Sequence, residues 1–172
     1  MRALIAGILL VGGFGLALDR GRGVPTSAGP GAVRADQTAD QAVEVMSTVD
    51  ALFEAMAAKD TAALAAVFHP DARLASTAIQ DGRPVVHGSS IEEFVRGVGS
   101  ATVDLDERLG PADVKVDGPL ATAWTPYAFF ADGEFSHCGV NAFQLVRTDQ
   151  GWKILQITDS RRRDGCPPGA PR

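Results

Sequence analysis

The segment Trp124–Arg163, WTPYAFFADGEFSHCGVNAFQLVRTDQGWKILQITDSRRR, constrains the fold more than any other part of the chain. Long alternating apolar stretches are broken at Asp132-Gly133 and at Gln150-Gly151. Asp-Gly favours a tight hairpin because both central residues of a type I′ turn take positive φ. The segment therefore predicts an antiparallel meander of strands over Leu120–Phe130, Glu134–Arg147 and Trp152–Asp159. Upstream, two shorter strands over Thr102–Leu109 and Val114–Val116 lead into it through an Asp117-Gly118 turn. A further hairpin, Arg73–Ile79 and Pro84–His87, flanks Asp81-Gly82.

Before and between these strands the apolar period changes. Val45, Val49, Leu52, Phe53 and Met56 form one stripe of a helix that starts near Asp40, with Glu44, Asp50 and Glu54 off the stripe. Asp60 is placed to cap a second, short helix, which His69-Pro70 ends because a residue before proline avoids the helical region. Ser89 and Ser90, each followed three residues on by Glu92 or Glu93, give two overlapping capping boxes for a third helix that buries Phe94, Val95 and Val98. Helices first and a meander last make an α+β plan.

The ends read differently. Met1-Arg2 followed by the apolar run Ala3–Leu18 reads as a signal peptide (1–18), with cleavage favoured over an uncleaved apolar anchor, so a secreted or periplasmic location is expected. Residues 19–39 are expected to be a disordered linker, 40–163 the folded domain and 164–172 a loose C-terminal tail. The net charge of −5 and the lack of a basic stripe speak against a nucleic-acid partner. The only two cysteines, Cys138 and Cys166, read first as a disulfide in an exported chain, with two free thiols as the alternative.

Two helices ending in FHPDARL, a third helix and a meander finishing in GWKI resemble the nuclear transport factor 2-like superfamily. Within it, HCGVNAFQLVR and GWKILQITDSRRR are similar to a lumazine-binding-like or polyketide cyclase-like subgroup. The resemblance covers Val45 to Cys166. It implies a strongly bent, mostly antiparallel sheet wrapped around three N-terminal helices, a cystatin-like cone with a cavity at its open end, often in a homodimer. It also implies a carboxylate on the first long strand in the isomerases and cyclases of the superfamily. Here that strand reads DARLAST, and Ala75 or Ser76 stands where the aspartate would be.

Strand parity sorts the cavity candidates. Phe135, His137, Gly139, Asn141 and Phe143 share one face, so His137 and Cys138 point apart and cannot form a catalytic dyad. His137, Asn141 and Phe143 are expected to line the concave face, joined by Trp124 and Tyr127 if a bulge at Pro126 turns both rings inward. For each, filling the core or satisfying backbone groups is the plainer alternative. Candidate bases are His137 and Asp159, with His69, Asp71 and His87 as further options. The three histidines lie in separate elements without metal-site spacing, so neither metal nor cofactor is expected. Three functions remain open: binding of a small hydrophobic or aromatic molecule, an isomerase, cyclase or dehydratase with Tyr127 or Asn141 as oxyanion donor, and a protein-interaction module.

Overall fold

The computed structural model describes residues 30–171. The apolar segment 1–18 and the first part of the expected linker lie outside the described residues. Three helices precede or interrupt the strands: α1 (Pro30–Ala58), α2 (Thr61–Ala66) and α3 (Ile91–Gly99). No described helix is long and apolar enough to cross a membrane. Seven strands make one sheet: β1 (Phe68–Gln80), β2 (Arg83–Ser89), β3 (Leu105–Leu109), β4 (Asp113–Asp117), β5 (Leu120–Ala131), β6 (Glu134–Thr148) and β7 (Gly151–Arg161). The strand order is β2-β1-β7-β6-β5-β3, with β4 also on β5, and all pairings are antiparallel except β1 with β7. The result is the expected α+β fold, helices against a large, bent, open sheet.

Local chemistry sets the boundaries. At Asp81-Gly82 and Asp132-Gly133 all four residues have positive φ, as a type I′ turn requires. The Asp60 carboxylate accepts from the amides of Ala62 and Ala63 at the start of α2. Ser90, rather than Ser89, caps α3 in a complete capping box with Glu93. The first helix begins ten residues before the expected domain start at Asp40. Pro30 is compatible with a first helical turn, and from Ala32 onward the stretch carries neither Gly nor Pro, so the expected linker runs into the helix.

The inner face of the sheet changes character along its strands. At one end Ala121, Ala123, Phe143, Leu145, Trp152, Ile154 and Ile157 pack against Val45, Val49, Leu52 and Met56 of α1, with Leu64, Phe68 and Val98 closing the layer. Ala121 and Ala123 leave room for the helix to sit close. Toward the other end the inward positions become Thr125, Tyr127, Asn141 and Asp159, all buried.

Two features correct expectations from the sequence. Pro126 marks no bulge: β5 pairs with β6 without interruption from Leu120 to Phe129, and Pro126 instead lies where the neighbouring edge breaks between β3 and β4. Its carbonyl takes the Gly110 amide at 2.7 Å. The bulge in this ladder is at Ser136, since Phe129 faces His137 while Phe130 faces Phe135. The extra residue turns Phe135 to the outer face, away from His137.

Cys138 and Cys166 form a disulfide that closes 28 residues of chain and contributes roughly 3–4 kcal/mol on the chain-entropy view. The tail after it is not loose. Gly169 lies so close to Gly110 that a methyl group at Gly110 would overlap its carbonyl, and it also packs on Pro111 and Pro126. Small residues and prolines provide this contact without the apolar pattern that usually announces packing.

At Gly139, β6 passes close against the Ser160 backbone of β7. A Cβ there would run into the Ser160 carbonyl and the Tyr127 ring. Gly139→Ala is therefore expected to cost about 2–3 kcal/mol or more, because the obstructing atoms are backbone. Chemical denaturation of the two proteins measures the difference.

Candidate functional site

The polar end of the inner face borders a cavity of about 100 Å³. Its polar lining comes from six strands: Ser76 on β1, Ser89 at the end of β2, Glu107 on β3, Tyr127 on β5, His137 and Asn141 on β6, and Asp159 and Arg161 on β7. Leu52, Phe53 and Met56 of α1 and Phe94 of α3 form the apolar wall. A wider groove of about 330 Å³ shares Met56, Phe94, Glu107, His137 and Arg161 with the cavity and continues along Val98, Leu105 and Phe129. A larger depression of about 780 Å³ between α1 and β4 is a shallow groove with Asp50, Glu54 and Asp113 as its charges, without converging donors.

Asp159 is the centre of the polar cluster. Its carboxylate accepts from Ser76 Oγ at 2.6 Å, Tyr127 OH at 3.2 Å, Arg161 Nε at 2.7 Å and Arg161 Nη2 at 3.4 Å. The Tyr127 hydroxyl shares its single proton between Asp159 and the Ser160 carbonyl at 3.1 Å. Burial first, then the negative charges of Asp159 and Glu107, raise the Tyr127 pKa well above the ordinary phenol range, although Arg161 opposes them. Burial alone would disfavour the Arg161 charge, but its bond to Asp159 and the surrounding negative field outweigh that and raise its pKa.

Glu107 is different. Asn141 Nδ2 donates to its Oε1 at 2.7 Å, its one side-chain hydrogen bond among the described residues. Glu107 is part-buried and lines both the small cavity and the wider groove. Burial raises its pKa from the ordinary 4.5 to about 7; the Asn141 bond and Arg161 pull down and Asp159 pushes up. His137 is driven the other way, to the neutral form, by burial and by Arg161, against the pull of Asp159. The His137 ring lies edge-on to Tyr127 and tilted over Phe129, with its Nδ1 at 3.1 Å from Ser136 Oγ. A carboxyl group balanced near neutrality beside a neutral imidazole is equipped to take up or release a proton.

Of the residues expected at the site, Tyr127, His137, Asn141 and Asp159 come together. Trp124 does not: it is 56% exposed on the outer face. Without a bulge at Pro126, residues three apart on β5 must face opposite ways. Phe143 shares the inner face but is only 1% exposed, edge-on to Phe53 in the core under α1 rather than in the cavity. Ser76 occupies the inward position on β1 and bonds Asp159 across the parallel pair, so the carboxylate stands on β7 instead. His87 is exposed on β2, and His69 Nδ1 accepts the Asp71 amide where β1 is irregular between Phe68 and Arg73. Among the described residues, no group of three His, Cys, Asp or Glu side chains is arranged to hold a metal. Arg161, at the rim position that the Arg161–Arg163 run suggests, pairs with Asp159, and Glu107 is the cavity's unforeseen member. The spacing of Leu105, Glu107 and Leu109 puts the glutamate on the apolar face of its strand, a signal present in the sequence.

Residues 37–158 match the model of the SnoaL-like domain family. No curated protein matches the chain significantly. Similar solved structures include a candidate dehydratase of the nuclear transport factor 2-like family from Streptomyces avermitilis, 18% identical over 72% of this chain and 97% of that one, with a TM-score of 0.56. Another is a nuclear transport factor 2-like protein with a cystatin-like fold from Novosphingobium aromaticivorans, 20% identical over 80% and 89% of the two chains, with a TM-score of 0.59. A third is the beta subunit of a candidate aromatic-ring-hydroxylating dioxygenase from the same organism, 14% identical over 72% and 90%, with a TM-score of 0.60. At these identities the shared property is the fold.

The Glu107 proton links the site to stability. Between pH 4.5 and about 7 the folded protein keeps a proton that the unfolded chain releases, so stability falls as pH rises through that window and levels off above it. Glu107→Gln keeps an acceptor for Asn141 without the charge. The variant is expected to be more stable than the parent at pH 8 by about 1–3 kcal/mol, with the difference vanishing near pH 4.5. Denaturation curves across pH test this, and parallel curves for the two proteins would refute it.

Proposed function

Because the chain belongs to the SnoaL-like domain family within the nuclear transport factor 2-like superfamily, we propose that its cavity binds a small carbonyl compound and moves a proton on it, as an isomerase, cyclase or dehydratase does. The observation that carries this reading is Glu107: a carboxyl group with one side-chain hydrogen bond, at the cavity wall, with its pKa raised to about 7. The ionised glutamate takes a proton from the carbon next to the carbonyl and returns it elsewhere on the same molecule. In the tautomer in which Ser136 Oγ donates to Nδ1, neutral His137 carries its proton on Nε2 and is the donor offered to the enolate oxygen.

This assigns roles different from those the sequence favours. Asp159 is already engaged by Ser76, Tyr127 and Arg161, so it organises the cluster rather than serving as the base. Tyr127 gives its proton to groups inside the protein, and Asn141 holds Glu107. The apolar groove along Val98, Leu105 and Phe129 receives the body of the molecule, since the inner cavity alone is smaller than the several hundred Å³ typical of ligand sites. A secreted or periplasmic location is part of the proposal, supported by the Ala3–Leu18 apolar run and by pairing of the only two cysteines. Pterins belong among the ligands to be screened, on the lumazine-binding-like resemblance.

A homodimer through the outer sheet face is a second reading. It is supported by Trp124, exposed on that face beside Ala142 and Thr158, where a flat partner could approach.

The first test is a thermal-shift screen against small ketones, steroids, flavins and pterins, followed by proton exchange of any ketone hit in heavy water. Exchange is expected to rise with pH through about 7 as Glu107 ionises, and Glu107→Gln should lower it by about 100-fold or more while the hit still binds. Undiminished exchange in Glu107→Gln excludes this acid–base assignment; binding without exchange leaves a binding domain.

A further inference from the structure

The cavity and the C-terminal tail are joined by covalent and backbone contacts that the proposed chemistry does not use. Cys138 directly follows His137 on β6, with its side chain buried on the opposite face beside Ala128 and Phe130. Its amide and carbonyl exchange hydrogen bonds of 2.8 and 2.9 Å with Arg162, just beyond the Asp159–Arg161 ion pair. Between these points the ladder is irregular: the Val140 amide bonds the Ser160 hydroxyl, while the Ser160 carbonyl takes the Tyr127 proton. The two backbone bonds at Arg162 and the disulfide to Cys166 hold this end of β7. Gly169 then seats the tail on Gly110, one residue after the strand that carries Glu107.

We propose that the Cys138–Cys166 disulfide is a redox-sensitive latch that positions Tyr127, Asp159 and Arg161 in the cavity, and that its reduction releases the tail and loosens the site while the sheet stays folded. The main apolar core contains no tail residue, which is why the two can separate. Cys166 is exposed and Cys138 is not, so a dithiol reductant attacks the Cys166 sulfur and expels the Cys138 thiolate. Its second thiol then displaces Cys166 from the mixed disulfide. The reductant closes to its own disulfide, and Cys138 and Cys166 gain the two electrons and two protons.

Tyr127 is the chain's single tyrosine, so tyrosinate absorbance reports on this site alone and needs no ligand. It is faced by Asp159 and Arg161 from β7, Glu107 from β3 and the His137 ring from β6. In the oxidised protein tyrosinate is expected only as the protein unfolds in alkali. After reduction by a dithiol, or in Cys166→Ser, it should appear near the ordinary phenol pKa of about 10 while circular dichroism still reports a native sheet. A folded, reduced protein whose tyrosine stays silent until unfolding would overturn the latch.

If Cys166→Ser does not fold, the parent protein decides the matter: dithiol reduction after folding should bring the Tyr127 titration into reach, and re-oxidation of Cys138 and Cys166 should abolish it again. A reduced, folded protein with an unchanged tyrosine titration would overturn the latch.

Discussion

The Asp159 carboxylate, held within the sheet by Ser76, Tyr127 and Arg161, is the interaction on which the polar half of the molecule depends. A buried carboxylate is costly unless its partners return what water supplied, and here three side chains from three strands do so. Each donor is thereby fixed in place. Ser76 ties β1 to β7 beyond their backbone ladder, Tyr127 spans from β5 to β7, and Arg161 is drawn back over the end of its own strand. The same charge discourages a second ion nearby, which is part of why Glu107 holds its proton to about pH 7.

The cavity follows from a division of labour on one face of the sheet. Where inward residues are apolar, α1 covers them and closes the core. Where they become polar, the last turn of α1 ends at Ala58 and α3 forms the other wall. Neither helix supplies a charge to the centre of the site; its ionisable groups all stand on strands. Such groups are held by ladders on rigid elements, and their spacing is set by sheet geometry rather than by loop conformation.

Much of this was legible because it is local. The Asp81-Gly82 and Asp132-Gly133 turns, the Asp60 and Ser90 caps and the shared face of His137, Asn141 and Phe143 on β6 each have a mechanism acting over a few residues, and the structure carries them. The cysteine pairing was legible from number alone. Less visible were effects that depend on neighbouring strands. The Ser136 bulge, which separates Phe135 from His137, leaves no mark in composition, and the inward or outward fate of Trp124 turned on whether Pro126 met a bulge or a gap. Glu107 was hidden for another reason. Asp104, Asp106 and Arg108 surround it, so its strand reads as a solvated one, although its two flanking leucines place it on the buried side.

That strand is also an edge member of the sheet. β3 is five residues long and bonded to β5 alone, so Glu107 is carried by the element with little backbone support of its own. Edge strands open more readily than central ones, and an opened edge hydrates whatever it carries. Ionisation of Glu107 and opening of that edge are therefore thermodynamically linked: a proton on the carboxyl favours the closed sheet, and its loss favours the open one. The group that accepts a proton at the cavity wall thus also biases how often that wall admits water.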